Sequence, residues 1–377
     1  MLKISVLMLF YIFFFKAHAE ETTFKDEMSK VKIGGRLQAI LAQDNVNEAQ
    51  DFYLRRTRLN LEYKPWEGHT FIYDIRNDGA NEADDGEQAF NIGDAYWKID
   101  IDNSFINNIK LFRAKVDVSY SQTSSSKNLF NPQRAEVSEH ASDFVVSNRR
   151  AVNAQINGNI GSLAYQVVLS DGVDSRDLSG LNGNKIAKVN YQKLTYGTKL
   201  RYFFIGDAKE NKSQDTFYGE RDTFSLGFGY FANDKINVTN SNNATALQEF
   251  SFNRKLSNVE LSYAYQNFRL LAEYFELSGD LIDLQATSTI NILGKSGGYY
   301  TQVEYTIGKW APYIIYESFD KDKEANDAVQ TVTTIGLNFY QKNESARFGI
   351  AHKKTKNGKN IGDNTIKSLY AYAMLNF

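Results

Sequence analysis

Cysteine is absent from this sequence of 377 residues, and proline occurs only three times. Without cysteine, the chain cannot form a disulfide framework, a thiolate metal site or a cysteine nucleophile. Because proline interrupts the hydrogen bonds of central strands, its scarcity favours an extensive sheet. The two signs of charge nearly balance, since 43 basic side chains stand against 45 acidic ones and the net charge is -2. The sequence therefore gives no reason to expect nucleic acid as a partner.

Long hydrophobic runs are scarce as well, and the mean hydropathy is -0.45. The one clear run covers residues 4–15, after Lys3 and before Ala17-His18-Ala19. A positive charge, an apolar stretch and small residues in this order predict a secretory signal peptide over residues 1–19, so the mature chain begins near Glu20. A retained membrane helix is the alternative, but the run has only about 12 residues where a span needs about 20.

The end of the chain, residues 366–377, alternates between apolar and mostly polar or amphipathic side chains. The apolar members are Leu369, Ala371, Ala373, Leu375 and Phe377. A strand with one apolar face needs a partner on each edge, which a closed sheet provides. The aromatic last residue resembles the assembly signal of bacterial outer-membrane barrels, which implies the barrel-assembly machinery as a partner. An ordinary sandwich strand is the alternative.

Aromatic residues, which favour strands, are abundant, with 26 Phe, 23 Tyr and 3 Trp. Alternating runs recur from residues 31–41, the expected partner of the last strand, and tight turns alternate with long polar loops. Residues 206–221 are the exception, because they are long where a short turn is expected. The sequence predicts an all-β fold, a transmembrane antiparallel β-barrel of about 16 strands. This single domain covers residues 31–377 and follows a short N-terminal segment, residues 20–30.

The apolar face of the strands is repeatedly aromatic near strand ends. The residues concerned are Tyr63, Trp97, Tyr202, Phe204, Tyr305, Trp310, Phe339 and Phe377. Such positions resemble the interfacial aromatic girdles of membrane barrels, whereas a pair of soluble sandwiches would expose polar residues there. We therefore expect the protein in the bacterial outer membrane, with its lipid and lipopolysaccharide as partners.

Catalytic and metal-binding motifs are few. After the signal peptide the chain keeps His69, His140 and His352, which belong to no known catalytic motif and are interpreted as chance surface residues. The acidic loop 320–327 has carboxylates spaced like calcium ligands, but it lacks the glycine and the final glutamate of an EF-hand. We therefore predict that the protein is not an enzyme and has no cofactor or metal site.

A set of basic residues lies on the strand face opposite the apolar one, which in a barrel lines the pore. Its members are Arg36, Arg56, Arg58, Arg76, Lys98, Arg113, Lys115, Arg149, Lys199 and Arg201. Around a lumen they would attract anions and replace part of the hydration that an anion loses. The alternative is that acidic residues on the same face neutralise them. Those residues are Glu62, Asp74, Asp94, Asp100, Asp117, Glu273, Glu304 and Glu317.

The longest early connection, residues 119–143, is too long for a hairpin and rich in serine. We expect it to fold into the lumen as a constriction loop. The residues expected to narrow the pore are Ser124, Ser125, Ser126, Lys127 and Arg134.

Several segments in order along the chain resemble the phosphate-selective porins of types O and P. They are residues 52–66 with their Arg-Arg-Thr-Arg core, Asp94-Ala95-Tyr96, residues 111–115 before the serine-rich loop, Leu271-Ala272-Glu273-Tyr274-Phe275 and Trp310-Ala311-Pro312-Tyr313. The resemblance implies a trimeric sixteen-stranded porin with an arginine-lined path and inward loops. Of the family's Gly-Gln-x-Lys-x-Pro segment only the lysine is present, as Lys115, while Phe112, Arg113 and Asp117 replace the other three residues.

The predicted function is a homotrimeric porin for the passive diffusion of small hydrophilic solutes, with a preference for anions that can include phosphate. One alternative is an outer-membrane barrel that acts mainly in surface binding, as an adhesin or phage receptor. A second alternative is a secreted β-rich hydrolase.

Overall fold

Strands make up nearly all of the regular structure in a computed structural model of the protein. The residues it describes are 28–45, 50–80, 89–125, 128–146, 150–173, 186–210, 222–240, 248–284, 295–341 and 346–377. The predicted signal peptide and most of the following N-terminal segment lie outside them. Among the described residues, no helix has both the length and the apolar character needed to cross a membrane.

Eighteen strands follow one another along the described chain. They are β1 (Val31–Asp44), β2 (Gln50–Tyr63), β3 (His69–Asn77), β4 (Asn91–Asp100), β5 (Ile106–Lys115), β6 (Arg150–Ile160), β7 (Leu163–Ser170), β8 (Ile186–Gln192), β9 (Thr195–Ile205), β10 (Thr223–Asn240), β11 (Gln248–Tyr265), β12 (Phe268–Ser278), β13 (Leu281–Leu284), β14 (Ser296–Tyr305), β15 (Trp310–Asp320), β16 (Val329–Gln341), β17 (Ala346–Asn357) and β18 (Thr365–Asn376).

Sixteen of these strands form one closed antiparallel barrel. The other two, β8 and β13, are short and pair only with the far ends of β10 and β11. The barrel closes where β18 pairs with β1, with Ala39 opposite Ala373. The prediction of a closed barrel of about 16 strands, with the first and last strands as partners, is confirmed.

Phe377 completes this closure at the level of the backbone. Its N–H donates to the carbonyl of Gly35 over 3.2 Å, and the N–H of Gly35 donates to its carbonyl over 2.8 Å. The phenyl ring lies over Gly35, where a Cβ would collide with it. A side chain at this position would displace the final aromatic ring from the first strand.

The two ends of the barrel differ. The end at which β1 begins and β18 finishes is called the terminal rim, and the other end is called the loop rim. Connections at the terminal rim are short except between Ile205 and Thr223, where the sequence predicted a long one. Predicted girdle residues cluster near this rim. The ring centroids of Trp310 and Phe339 are 4.8 Å apart, and the ring of Phe204 lies 4.7 Å from that of Phe224, which was not among the predicted residues.

The alternation predicted for β2, which places Arg56 and Arg58 inward and Tyr53 outward, fails at a β-bulge. Arg56 pairs with Gln38 and Leu54 pairs with Ala39, so Arg55 is the extra residue. A bulge shifts the two-residue period by one, and Tyr53, predicted to face outward, is buried within the barrel at 5% exposure. The prediction for Tyr53 was wrong because the sequence pattern gives no sign of the bulge.

The connection between β5 and β6 folds into the lumen as predicted. It contains two helices, α1 (Tyr120–Thr123) and α2 (Glu136–Val145). Val137, Ala141 and Phe144 recur at helical spacing and form one buried cluster with inward apolar residues of the wall, such as Phe275 and Phe319. One side of this inward loop is thus anchored by apolar contacts.

Candidate functional site

Three arginines form a row across the inner wall. Arg36 on β1 pairs in register with Arg58 on β2, and Arg58 pairs with Arg76 on β3. All three side chains are largely buried, and the charge of Arg58 acts on both of the others. Like charges directly opposite each other destabilise a sheet, so this arginine row requires compensation by anionic groups.

Two carboxylates supply part of that compensation. Asp78, just beyond β3, lies 2.6 Å from Arg58 Nη2 and 3.9 Å from Arg76 Nη1. Burial alone would raise the pKa of Asp78, but the positive charges of Arg58 and Arg56 hold it well below its usual range. Asp74 also acts on Arg36 and Arg76. Two carboxylates next to three guanidinium groups leave positive charge in excess within this set.

Arg36 connects the arginine row to the inward loop. Its Nε donates to Asn376 Oδ1 over 2.8 Å, and its Nη2 donates to Ser125 Oγ over 3.0 Å. Ser125 therefore lies at the arginine row, where the sequence placed the constriction. Ser126, Lys127 and the predicted pore residue Arg149 lie outside the described residues.

Other basic side chains of the wall hold the loop by its carbonyl groups. Arg56 Nη1 donates to the carbonyl of Pro132 over 2.6 Å, and Arg347 Nη1 donates to that of Leu129. Arg254 donates to the carbonyl of Phe144 over 2.9 Å, and Lys115 donates to that of Thr123 over 3.2 Å. The neutral amide of Asn338 donates to the carbonyl of Phe130 over 3.0 Å. These side chains fix the position of the loop, a role that the sequence did not predict.

Glu273 on β12 holds the start of α1. Its carboxylate accepts from Ser119 Oγ over 2.7 Å, from the N–H of Tyr120 over 2.8 Å and from the N–H of Ser121 over 3.3 Å. The hydroxyl of Tyr300 also donates to it. One acidic side chain therefore binds three consecutive residues of the loop to the wall.

Lys199 and Arg201 lie in the lumen but are neutralised there. Glu260 forms ion pairs with both, 2.7 Å from Lys199 Nζ, and Asp117 lies 3.2 Å from Arg201 Nη2. Because Asp117 belongs to the loop, these contacts are a further anchor. At these two positions the alternative of neutralised charges describes the wall better than an open positive surface.

Two further predicted pore residues have local partners. Lys98, near the terminal rim, lies 2.9 Å from Asp100. Arg113 donates from Nε to the carbonyl of Gly93 over 3.0 Å. The direction of the Arg113 side chain relative to the rest of β5 is affected by the neighbouring Phe112, which has a φ of 79°.

The alternation predicted for β5 is wrong beyond Phe112. Ala114 lies between the predicted pore residues Arg113 and Lys115, and the alternation therefore places it on the outer face. It is instead 1% exposed, and Ala114 and Lys115 line the same cavity. A left-handed residue inside a strand changes the directions of the side chains that follow, which the apolar pattern alone does not indicate.

Within the loop, Arg134 stabilises its own segment. Its Nε donates to the carbonyl of Ser121 over 2.7 Å, and its Nη2 donates to that of Ser124 over 3.1 Å. Ser124 is buried and lines a cavity of about 330 Å³ that extends from α1 toward the terminal rim. The predicted loop residues that are described thus lie inside the barrel.

Several lumen residues were missed by the sequence analysis. Arg150, next to the predicted Arg149, is buried with its Nε 2.5 Å from Asp94. Arg347 alternates with outward Phe348 and Ile350, so the strand pattern contained the signal for it. Arg254, Arg269 and Lys110 were also missed. For Arg269 the pattern is misleading, since β12 carries apolar residues on its inner face as well, where they contact the loop.

His140 is only partly exposed and packs α2 against the wall. Its ring centroid lies 5.1 Å from that of Phe319 and 6.1 Å from that of Phe144. Burial, followed by the charges of Arg254 and Lys321, lowers the pKa of His140 to about 4. Within the described part of the chain, no three His, Asp or Glu side chains are grouped closely enough to hold a metal ion.

Comparison with protein families places these features in a wider group. The profile of the family "phosphate-selective porin O and P" matches residues 31–364. A comparison with curated proteins found no match.

Solved structures share the fold at low sequence identity. The anion-selective porin from Comamonas acidovorans aligns with a TM-score of 0.58 and 13% identity, over 92% of this chain and 99% of that one. The channel DcaP of Acinetobacter baumannii aligns with a TM-score of 0.60 and 12% identity, over 92% and 97%. The trimer form of OmpT from Vibrio cholerae aligns with a TM-score of 0.56 and 10% identity, over 92% and 99%. These likenesses concern the fold.

Proposed function

Because the chain belongs to the phosphate-selective porin O and P family and is a porin of the bacterial outer membrane, we propose that it is a passive diffusion channel that prefers small anions. Phosphate is among the solutes proposed. The function requires no catalysis and no cofactor, since diffusion through a water-filled lumen is driven by the solute gradient.

The observation that carries the proposal is the arginine row beside Ser125 of the inward loop. An anion that enters a constriction loses part of its hydration, and guanidinium N–H groups can replace those hydrogen bonds. The positive excess near Arg36, Arg58 and Arg76 supports a preference for anions over cations at this level of the pore. By contrast, the neutralised pair of Lys199 and Arg201 contributes little to it.

The proposed assembly and orientation follow those of related barrels. We propose a homotrimer, as in the trimer form of OmpT, with the terminal rim toward the periplasm. The loop rim would then meet lipopolysaccharide, and Phe377 at the terminal rim would be available to the barrel-assembly machinery. Its ring is strongly exposed on the outer face of the barrel.

The test is ion selectivity in a planar bilayer. In a salt gradient the wild-type channel should give a zero-current potential whose sign shows that anions pass more readily than cations. The triple variant Arg36→Gln, Arg58→Gln, Arg76→Gln should move it toward cations, most clearly in dilute salt, because the screening length is about 30 Å at 0.01 M and about 10 Å at 0.1 M.

A matched control removes positive charge from the exposed, outer side of a strand. Lys354→Gln together with Lys356→Gln changes two exposed side chains of β17. This double variant should keep the wild-type potential. If the wild-type channel shows no anion preference, or if the triple variant shifts the potential no more than the control does, the proposed function is wrong.

A further inference from the structure

The inner surface of β5, β6 and β7 carries a continuous chain of hydrogen-bonded amide side chains, called here the amide chain. Gln155 Nε2 donates to Asn153 Oδ1 over 2.8 Å, and Gln166 Nε2 donates to Gln155 Oε1 over 3.1 Å. Gln166 also donates to Asn157 Oδ1 over 2.9 Å, and Asn157 Nδ2 donates to Asn108 Oδ1 over 3.0 Å. Each amide is thereby held in a fixed orientation.

One end of the amide chain faces the cavity below α1. Asn108, Asn157 and Gln166 line this space, and so do Tyr96 and Tyr120. Its volume of about 330 Å³ falls in the range of small-molecule sites, roughly 300–1,000 Å³. Amides offer both donors and acceptors, as hydroxyl groups do, and tyrosine adds an aromatic face with a hydroxyl. The lining therefore suits a polyhydroxylated solute.

Positive charge is also present in this cavity. Of its carboxylates, Asp94 is paired with Arg150 at 2.5 Å and Asp117 with Arg201 at 3.2 Å. Lys110 Nζ lies 5.6 Å from the centroid of the Tyr96 ring, and none of the ion pairs formed by described residues involves it. A third carboxylate, Glu210, comes from the connection at the terminal rim. The space beside the amide chain thus combines neutral polar groups with an ammonium group.

The cavity adjoins the arginine row. Ser124 lines the cavity, and the next residue, Ser125, accepts from Arg36. A solute of moderate length could therefore place an acid group near the guanidinium groups or Lys110 while its hydroxyl groups contact Asn108 and Asn157. Inorganic phosphate is too small to use both features at once.

We propose that the solutes recognised in this pore are polyols that carry one acid group, of which sugar phosphates and sugar acids are examples. This rests on the anion preference proposed above and adds the hydroxyl-bearing part of the solute. Because the amide chain is already ordered, its groups need little rearrangement when a solute replaces water. The predicted selectivity is for hydroxyl groups among anions of equal charge and similar size.

The experiment compares two phosphate esters that differ in hydroxyl groups. Glucose 6-phosphate and cyclohexyl phosphate carry the same acid group on a six-membered ring, but only the sugar has several hydroxyl groups. The half-saturating concentration of each is measured from its block of single-channel chloride current. The wild-type channel should bind glucose 6-phosphate about tenfold more tightly, the effect of one or two neutral hydrogen bonds.

A double variant tests the assignment to the amide chain. Asn108→Leu with Asn157→Leu removes both partners of one hydrogen bond, so neither amide of that bond is left without the other. The preference for glucose 6-phosphate should fall from about tenfold to about onefold, measured as the ratio of the two constants. Ala154→Leu, on the exposed face of the same strand, is the control and should retain the wild-type ratio.

The outcomes separate this inference from the proposed function. Equal block by the two esters in a channel with an anionic zero-current potential would overturn the inference and leave the anion porin in place. A channel without anion preference that is blocked by neither ester would overturn both. A wild-type ratio in the folded double variant would show that the amide chain does not recognise the hydroxyl groups.

Discussion

Removal of the Glu273 carboxylate should release the start of the inward loop from the wall. In Glu273→Ala, the loop loses the three hydrogen bonds donated by Ser119, Tyr120 and Ser121. Because water can replace part of each bond, we take a net contribution of roughly 1 kcal/mol per bond, or about 3 kcal/mol together. The ratio of displaced to docked loop should then rise about a hundredfold.

Single-channel recording provides the measurement. At 1 M salt the screening length is only about 3 Å, so the lost negative charge has little effect on ion flow and a change in current reports the geometry of the pore. Glu273→Ala should show larger current fluctuations and a higher mean conductance than the wild type. Protease cleavage within the loop, followed on the folded protein, should accelerate in parallel.

The control lies three residues further along the same strand. Glu276 is on the opposite face of β12, where it pairs with Lys323 at 2.5 Å and makes no contact with the inward loop among the described interactions. Glu276→Ala should leave conductance and fluctuations unchanged. If Glu273→Ala forms folded channels with the conductance, noise and protease resistance of the wild type, Glu273 does not hold the loop.

Two other predictions concern closure of the barrel and acid conditions. Deletion of Phe377, or Gly35→Val, which places a side chain where its ring lies, should lower the amount of folded protein in the outer membrane without affecting export across the inner membrane, as measured by fractionation. For His140, whose pKa in the docked loop is about 4 against about 6.5 when free, stability is complete above pH 6.5 and is lost as the pH falls toward 4. Docking should therefore weaken by about 2 kcal/mol between pH 7 and pH 5, so conductance noise should rise more in the wild type than in His140→Phe, and an equal response of the two would contradict this.

The barrel itself could be predicted from the sequence because apolar side chains of its outer face recur at every second position of the strands. In β18, outward Leu369 and Leu375 alternate with inward Tyr370 and Met374, as the sequence predicted. This two-residue period does not predict side-chain directions where the strand contains a β-bulge or a residue with positive φ. Tyr53 was misplaced because a bulge separates it from Arg56, and Ala114 was misplaced because it follows the left-handed residue Phe112.

The site was less predictable than the barrel. The sequence can show that a charged side chain faces inward, but it does not show which group that side chain binds. The sequence places Arg56 and Arg58 on one face, and the structure does the same. It could not show that Arg56 binds a loop carbonyl while Arg58 joins the arginine row. Those roles depend on how residues 76 positions apart in the chain, such as Arg56 and Pro132, come together.

The dual use of the wall arginines links two traits that a channel could otherwise vary separately. Arg56 and Arg347 contribute charge to the lumen and also hold the loop that sets its width. A substitution that reduces the electrostatic preference at either position will also change how large a molecule can pass. Directed evolution of this channel toward new solutes should therefore yield substitutions that change selectivity together with compensating substitutions in the loop. Selectivity substitutions without such compensation should be rare.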